Sequence, residues 1–257
     1  MKHILAAVIL SSLLFVPGQA KNPTTPLKVE ERTFVLRDSL QLHGWLMRDT
    51  ASQNQPLIIL LHQLGTDHDS YQPFIDALTD YVASDAKHGP MPTIISFDLR
   101  GHGKSIIRGN DTVRVDNMPN EEFLKYPTDI KQALRELLKD KTLGVDTSRI
   151  YVVGASIGAN SAAILTEISP GISKAALLSP GKSYHTVDPS GAIAKYQGKM
   201  LIYASKGDTY SAESSATFAK SNPTHCTLQI FDGDAHGTEL LKSNPKAMQQ
   251  LVEWVVE

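Results

Sequence analysis

Residues 150–158 read Ile150-Tyr151-Val152-Val153-Gly154-Ala155-Ser156-Ile157-Gly158, and this stretch decides the fold. Its first four residues are β-branched or aromatic and predict a buried strand. The small residues of 156–168 predict a helix that starts with no loop before it. A strand that turns at once into a helix leaves its central residue strained and projecting. Glycine two before and two after lets neighbouring backbone come close. The Ser156 hydroxyl is therefore expected to stand clear at a sheet edge, above a helix N-terminus.

Outward from this turn, strand and helix alternate. Residues 29–37 and 40–47 predict two strands, with a tight hairpin at Asp38-Ser39. Leu57 to Leu61 is apolar throughout, as a strand covered on both faces should be. Tyr71, Phe74, Ile75, Leu78 and Val82 recur at helical spacing. Residues 93–97 predict a strand. Ile130, Leu134, Leu137 and Leu138 mark a helix starting just after Pro127. Three more strands are expected at 175–178, 200–203 and 226–231, with a helix around Thr217 and Phe218. Asn244-Pro245 reads as an N-cap and first turn, and Met248, Leu251, Val252 and Val255 line the final helix. This order predicts one α/β domain over residues 29–257 with a mostly parallel sheet, whose strand C-termini share the ligand-binding edge.

The chain has 257 residues, 41% hydrophobic and 20% charged, enough to bury a core unaided. Lys and Arg number 25 against 27 Asp and Glu. No basic excess is available to neutralise a run of phosphates, so a dedicated nucleic-acid binder is excluded. The single cysteine, Cys226, excludes an internal disulfide framework and a Cys-based zinc cluster. Asp67, His68 and Asp69 read as a capped loop opening a helix, and no metal is assigned.

Residues 1–20 form a separate object. Lys2 precedes an uncharged run at 4–16, and Pro17-Gly18-Gln19-Ala20 follows. This pattern predicts a secretory signal peptide cut after Ala20. The rival is a membrane anchor, but a spanning helix needs about 20 apolar residues. Loss of Lys2 takes the formal charge from −2 to −3. Residues 21–28 form a polar lead. Export fits a secreted or periplasmic protein with one thiol and no stable membrane span.

A serine alcohol is a weak nucleophile and needs a base oriented by a carboxylate. His236 follows the last strand in Gly233-Asp234-Ala235-His236-Gly237, and Asp208 follows the preceding one in Ser205-Lys206-Gly207-Asp208. Ser156, Asp208 and His236 are thus the candidate catalytic set, each past a different strand on one edge. Asp232 and Asp234 stay open as alternative acids. His225 begins a strand at the wrong end, and His185 sits in a linker. A developing oxyanion needs two N–H donors. Ile157, directly after the serine, is one; Leu64 in Leu61-His62-Gln63-Leu64-Gly65 is the other, with Gln63 as its rival. His62 is expected to brace this loop. Asp98-Leu99-Arg100-Gly101-His102-Gly103-Lys104-Ser105 is read as a structural turn, because its glycine spacing matches no phosphate-binding loop.

Together with Gly154-Ala155-Ser156-Ile157-Gly158-Ala159-Asn160, these segments resemble the α/β-hydrolase superfamily over residues 29–256. Within it, the chain is similar to the dienelactone-hydrolase-like and serine-aminopeptidase-like esterases. The resemblance implies a three-layer fold with an eight-stranded sheet and helices on both faces, a Ser156-Asp208-His236 triad, and no cofactor. Two departures stand out. Many relatives carry His-Gly where this chain has His62-Gln63, and dienelactone hydrolases proper use a cysteine where it has Ser156.

The expected function is a secreted serine hydrolase of carboxylic esters. Residues 179–199 are too few for a large cap, so a small-molecule ester with a short acyl chain is favoured. Residues 106–126 are the second candidate wall. Thioester and amide or peptide hydrolysis are the rival reactions, and a non-catalytic binding module on a hydrolase scaffold is the rival class.

Overall fold

Strands β1 (Lys28–Val35) and β2 (Gln41–Arg48) pair antiparallel from Lys28 opposite Arg48 to Val35 opposite Gln41. The computed structural model that shows this describes residues 27–257. The expected signal peptide lies outside the described residues, as does the polar lead up to residue 26. The turn between β1 and β2 passes through Ser39 at φ 65°, where a short polar side chain is better tolerated than a branched one.

From here the chain alternates as its apolar pattern predicts. β3 (Gln55–Leu61) is buried along its whole length. It leads to α1 (Gln72–Ser84), which turns Phe74, Ile75, Leu78 and Val82 inward. β4 (Thr93–Phe97) follows, then a two-residue hairpin, β5 (Ile107–Arg108) and β6 (Asp111–Thr112), and the single turn α2 (Asn120–Phe123). α3 (Tyr126–Leu137) carries Pro127 in its first turn, where a missing N–H costs nothing. β7 (Val145–Ala155) and α4 (Ile157–Ile168) flank Ser156. β8 (Ile172–Leu178), α5 (Ser190–Lys195), β9 (Lys199–Ser205), α6 (Thr209–Ser221) and β10 (Cys226–Phe231) come next. α7 (Glu239–Ser243) and α8 (Pro245–Val256) close the chain, and Asn244 caps α8 through the Ala247 N–H at 3.1 Å.

The eight-stranded sheet runs β1-β2-β4-β3-β7-β8-β9-β10, antiparallel at β1-β2 and β2-β4 and parallel elsewhere. Two apolar clusters fill its two faces. One gathers Leu57, Ile59, Val152 and Ile202 with residues of α3 and α4; the other gathers Ile58, Leu60, Val153 and Tyr203 with residues of α1 and α8. The alternation of side chains along each strand sends one set to each layer. The fold is thus the three-layer α/β arrangement expected, with helices on both faces. The segment between β8 and β9 holds only α5, six residues, and forms no large cap over the sheet edge.

The turn at 98–105 is a brace. Arg100, 1% exposed, grips Asp129 of α3 bidentately at 2.7 and 2.9 Å and reaches Asp38 at 2.6 Å and Glu122 of α2 at 2.9 Å. Burial pushes the Asp129 carboxyl up to about 6, against the pull of the guanidinium, so the pair is ionised at neutral pH. Asp98 accepts from the His68 ring at 2.8 Å and from the Lys104 N–H at 2.7 Å. The Asp67 side chain caps the short turn that opens α1, accepting from the Asp69 N–H at 3.0 Å.

Candidate active site

Ser156 is the whole of the turn between β7 and α4. Its backbone lies at φ 53°, ψ −120°, a conformation rare for any residue with a Cβ and one that concentrates at functional positions. The turn is held from both flanks. A Cβ on Gly154 would overlap the carbonyl of Gly158, and one on Gly158 would overlap the carbonyls of Leu61 and His62. The Ser156 N–H donates to the Leu178 carbonyl of β8 at 2.8 Å.

Asp208 caps α6, one carboxylate oxygen accepting from the Ser211 N–H at 3.4 Å. Its other oxygen lies 2.6 Å from Nδ1 of His236. That bond places the proton on Nδ1 and leaves the Nε2 lone pair free. The His236 loop is pinned on three sides. Ser205 Oγ donates to the Ala235 carbonyl at 2.7 Å, the Gly237 N–H donates to Ser179 Oγ at 3.0 Å, and the Thr238 N–H donates to the Gln63 side chain at 2.7 Å.

Of the alternative acids, Asp232 is exposed and paired with Lys206 at 2.6 Å, and Asp234 is exposed. His225 precedes β10 at the far end of its strand. His185 stacks on Phe123, ring centroids 4.0 Å apart. Among the described residues Ser156 Oγ makes no hydrogen bond to His236. Nucleophile–base contacts are often long until substrate binds.

Tyr184, which sequence reasoning missed, joins the two. Its ring meets that of His236 edge-on, centroids 6.1 Å apart, and its hydroxyl interacts with Ser156 and lies 3.0 Å from Ser211 Oγ. Burial pushes its phenol up to about 12, so it stays a neutral donor. The next two residues, His185 at φ 47° and Thr186 at φ 67°, form a tight turn closed by a bridge from Tyr184 to Val187. Left-handed backbone at a β-branched residue is strained. The turn is held by the stack on Phe123 and by Asn160 of α4, whose amide donates to the Gly181 and Val187 carbonyls at 2.8 and 2.7 Å. Residues 106–126 thus touch the 179–199 segment, through Phe123. Only the unsupported Tyr-His-Thr sequence marks this turn, and it carries no glycine to announce a left-handed conformation.

The N–H groups of Ile157, Gln63 and Leu64 make no hydrogen bond to another described residue. All three are free to donate to a substrate oxygen, and the N-terminus of α4 adds its partial positive charge. Two buried histidines brace the Gln63-Leu64 loop. His62 Nε2 accepts from the Leu99 N–H at 2.9 Å while its Nδ1 donates to the Gln63 carbonyl at 2.7 Å. His102 Nε2 accepts from the Gly65 N–H at 3.2 Å and its Nδ1 donates to the Arg100 carbonyl at 3.1 Å. Burial, reinforced by the neighbouring His102 ring, holds His62 down to about 3, and burial depresses His102. Both are neutral braces.

A family model described as alpha/beta hydrolase fold matches residues 56–226, well over half of the chain. No curated protein matches it. Among solved structures, an esterase from Pyrococcus furiosus is similar at 18% identity and TM-score 0.66, covering 93% of this chain and 96% of that one. A predicted CIB-like hydrolase from Thermoplasma acidophilum is 14% identical, TM-score 0.65, over 90% and 99% of the two chains. An esterase from Exiguobacterium antarcticum is 13% identical, TM-score 0.65, over 89% and 100%. At such identities these likenesses speak to the fold, which they share with this chain from end to end of their own sequences. With the sheet order, the strained serine turn and the family match in agreement, the chain belongs to the alpha/beta hydrolase fold family.

Proposed function

We propose that this chain is an exported serine hydrolase of carboxylic esters, with Ser156 as nucleophile, His236 as base and Asp208 as its orienting acid. The 2.6 Å contact between Asp208 and His236, on the same edge as the strained Ser156, carries this reading. Two fold neighbours described as esterases support it.

In this reading His236 Nε2 takes the Ser156 proton as Oγ attacks the ester carbonyl, and the imidazolium then protonates the leaving alcohol. The oxyanion rests on the N–H groups of Ile157 and Leu64. Water, activated by the same ring, releases the acid and restores the serine. Tyr184, edge-on to the His236 ring, is the candidate wall of the acyl site. The short β8–β9 segment supports a preference for short acyl chains.

The test is labelling of the purified protein by a fluorophosphonate probe beside Ser156→Ala and His236→Ala. Both variants should lose turnover by roughly three or more orders of magnitude. Folded wild-type protein that does not label supports the binding-module reading instead. A p-nitrophenyl ester series of rising acyl length, with a thioester and an aminoacyl amide, separates the ester reading from its rivals. Exported protein beginning near Lys21 is the result expected for the signal peptide.

A further inference from the structure

We infer that the side chain of Gln63 is a positioning residue that ties the oxyanion loop to the loop carrying His236. Thr238, 2% exposed, is two residues past His236 and begins α7. It donates twice to one atom, Gln63 Oε1: through its backbone N–H at 2.7 Å and its hydroxyl at 3.1 Å. The amide also fills the space beside Gly237, where a Cβ would overlap Oε1. Gly237 lies at φ 60°, a left-handed backbone that favours glycine, and a side chain there would also push the Gln63 amide from its place.

The juxtaposition has a chemical consequence. The main chain of Gln63 belongs to the loop whose unpaired N–H groups are the candidate oxyanion donors, and that main chain is itself gripped by His62. A single side chain therefore spans the two parts that must keep register during proton transfer: the donors to the oxygen and the ring that moves the proton. Ser179 holds the preceding N–H, that of Gly237, from the β8 side. Without Gln63 the loop keeps that anchor and the Ser205 bond to the Ala235 carbonyl, both on the side before Thr238, and Thr238 is left with two buried donors unpaired. A glycine after His62 would leave the main-chain donors in place and remove this tether.

The kinetic arm of the test rests on the serine-hydrolase reading; the spectroscopic arm does not. Gln63→Met keeps the bulk and removes the acceptor, and Gln63→Glu restores an acceptor oxygen at the same reach. In Gln63→Met, kcat and the fluorophosphonate labelling rate should fall by about tenfold to a hundredfold, as for a misplaced catalytic group. KM should stay within about threefold, since the substrate-facing N–H groups are untouched. Gln63→Glu should recover most of that loss. In the resting protein, the low-field proton resonance of the His236 Nδ1–H bond to Asp208 should broaden or move in Gln63→Met and return in Gln63→Glu.

Wild-type kcat and an unmoved resonance in folded Gln63→Met would overturn the tether. So would equal impairment of both variants, because the acceptor oxygen returned by Gln63→Glu would then have restored nothing. If Gln63→Met does not fold, Gln63→Glu decides: a folded Glu variant with near wild-type kcat and resonance supports the tether, and a folded one that has lost both overturns it. Failure of wild-type protein to label would remove the hydrolase reading while the resonance still tests the tether.

Discussion

Oδ2 of Asp208 lies 2.6 Å from Nδ1 of His236, across 28 residues of sequence and from the end of a neighbouring strand. The contact orients the ring and favours the imidazolium that forms when a serine proton is taken. Asp208→Asn should lower kcat on the order of a thousandfold or more with little loss of fold. Asp232→Asn and Asp234→Asn, both on exposed side chains, should leave kcat nearly unchanged. Steady-state ester hydrolysis by the three variants is the check. A silent Asp208→Asn would move the acid assignment elsewhere.

The glycine after the serine turn makes a second prediction. An added methyl at Gly158 presses on the carbonyls of Leu61 and His62, which are backbone atoms and cannot swing aside. Gly158→Ala should cost roughly 1–3 kcal/mol, the range for overpacking a close contact. It should also disturb labelling of Ser156, because β3 and α4 must separate. Urea unfolding beside a labelling assay reads both. Gly191→Ala, where a Cβ meets open space, is the control.

The buried histidines predict a loss of stability in acid. His62 is held down to about 3 by burial, whereas in the unfolded chain it titrates near 6.5. Between these values the unfolded state binds the extra proton. Stability from this group is therefore complete above about 6.5 and falls as pH drops toward 3. His102, depressed by its own burial, adds in the same direction. His68 is raised by its contacts with Asp98 against the cost of burial, so its contribution changes only above 6.5. His62→Gln should start less stable at neutral pH and lose less between pH 6.5 and 4.5. Chemical unfolding of both proteins across that range isolates His62, since other groups cancel in the difference; parallel curves would show that His62 carries none of the slope.

Tyr184 predicts acyl selectivity. Its ring stands against His236 and its hydroxyl against Ser156. Tyr184→Ala should raise the rate on longer acyl esters relative to acetyl esters. Tyr184→Phe keeps the ring and should keep the preference. The measurement is kcat/KM over the ester series for the three proteins, and an unchanged ratio in Tyr184→Ala would place the acyl chain elsewhere.

Much of this arrangement was legible before any coordinates. The sheet follows from apolar runs such as Leu57 to Leu61, which only a doubly covered strand tolerates, and α8 from Asn244-Pro245. The serine turn follows from two glycines at fixed spacing. The brace at Arg100 was readable as structural, though its partners Asp38, Glu122 and Asp129 were not. They lie far apart in sequence, and nothing in their neighbours marks them as charges that will be buried together. The single-turn α2 and the β5–β6 hairpin fell within what reads as one long polar stretch, because elements of two to four residues have no period to detect.

Local sequence by itself determined where the longer strands and helices fall, and which residue would stand in the strained turn at position 156. Those properties depend on side-chain periodicity and on where a Cβ is absent, and both are written along the chain. Tertiary structure alone decided that Gln63 reaches Thr238, that Tyr184 leans on His236, and that His62 and His102 lock one loop. Such contacts depend on the twist and order of eight strands, which bring side chains from distant segments to one edge with a direction that no local pattern specifies.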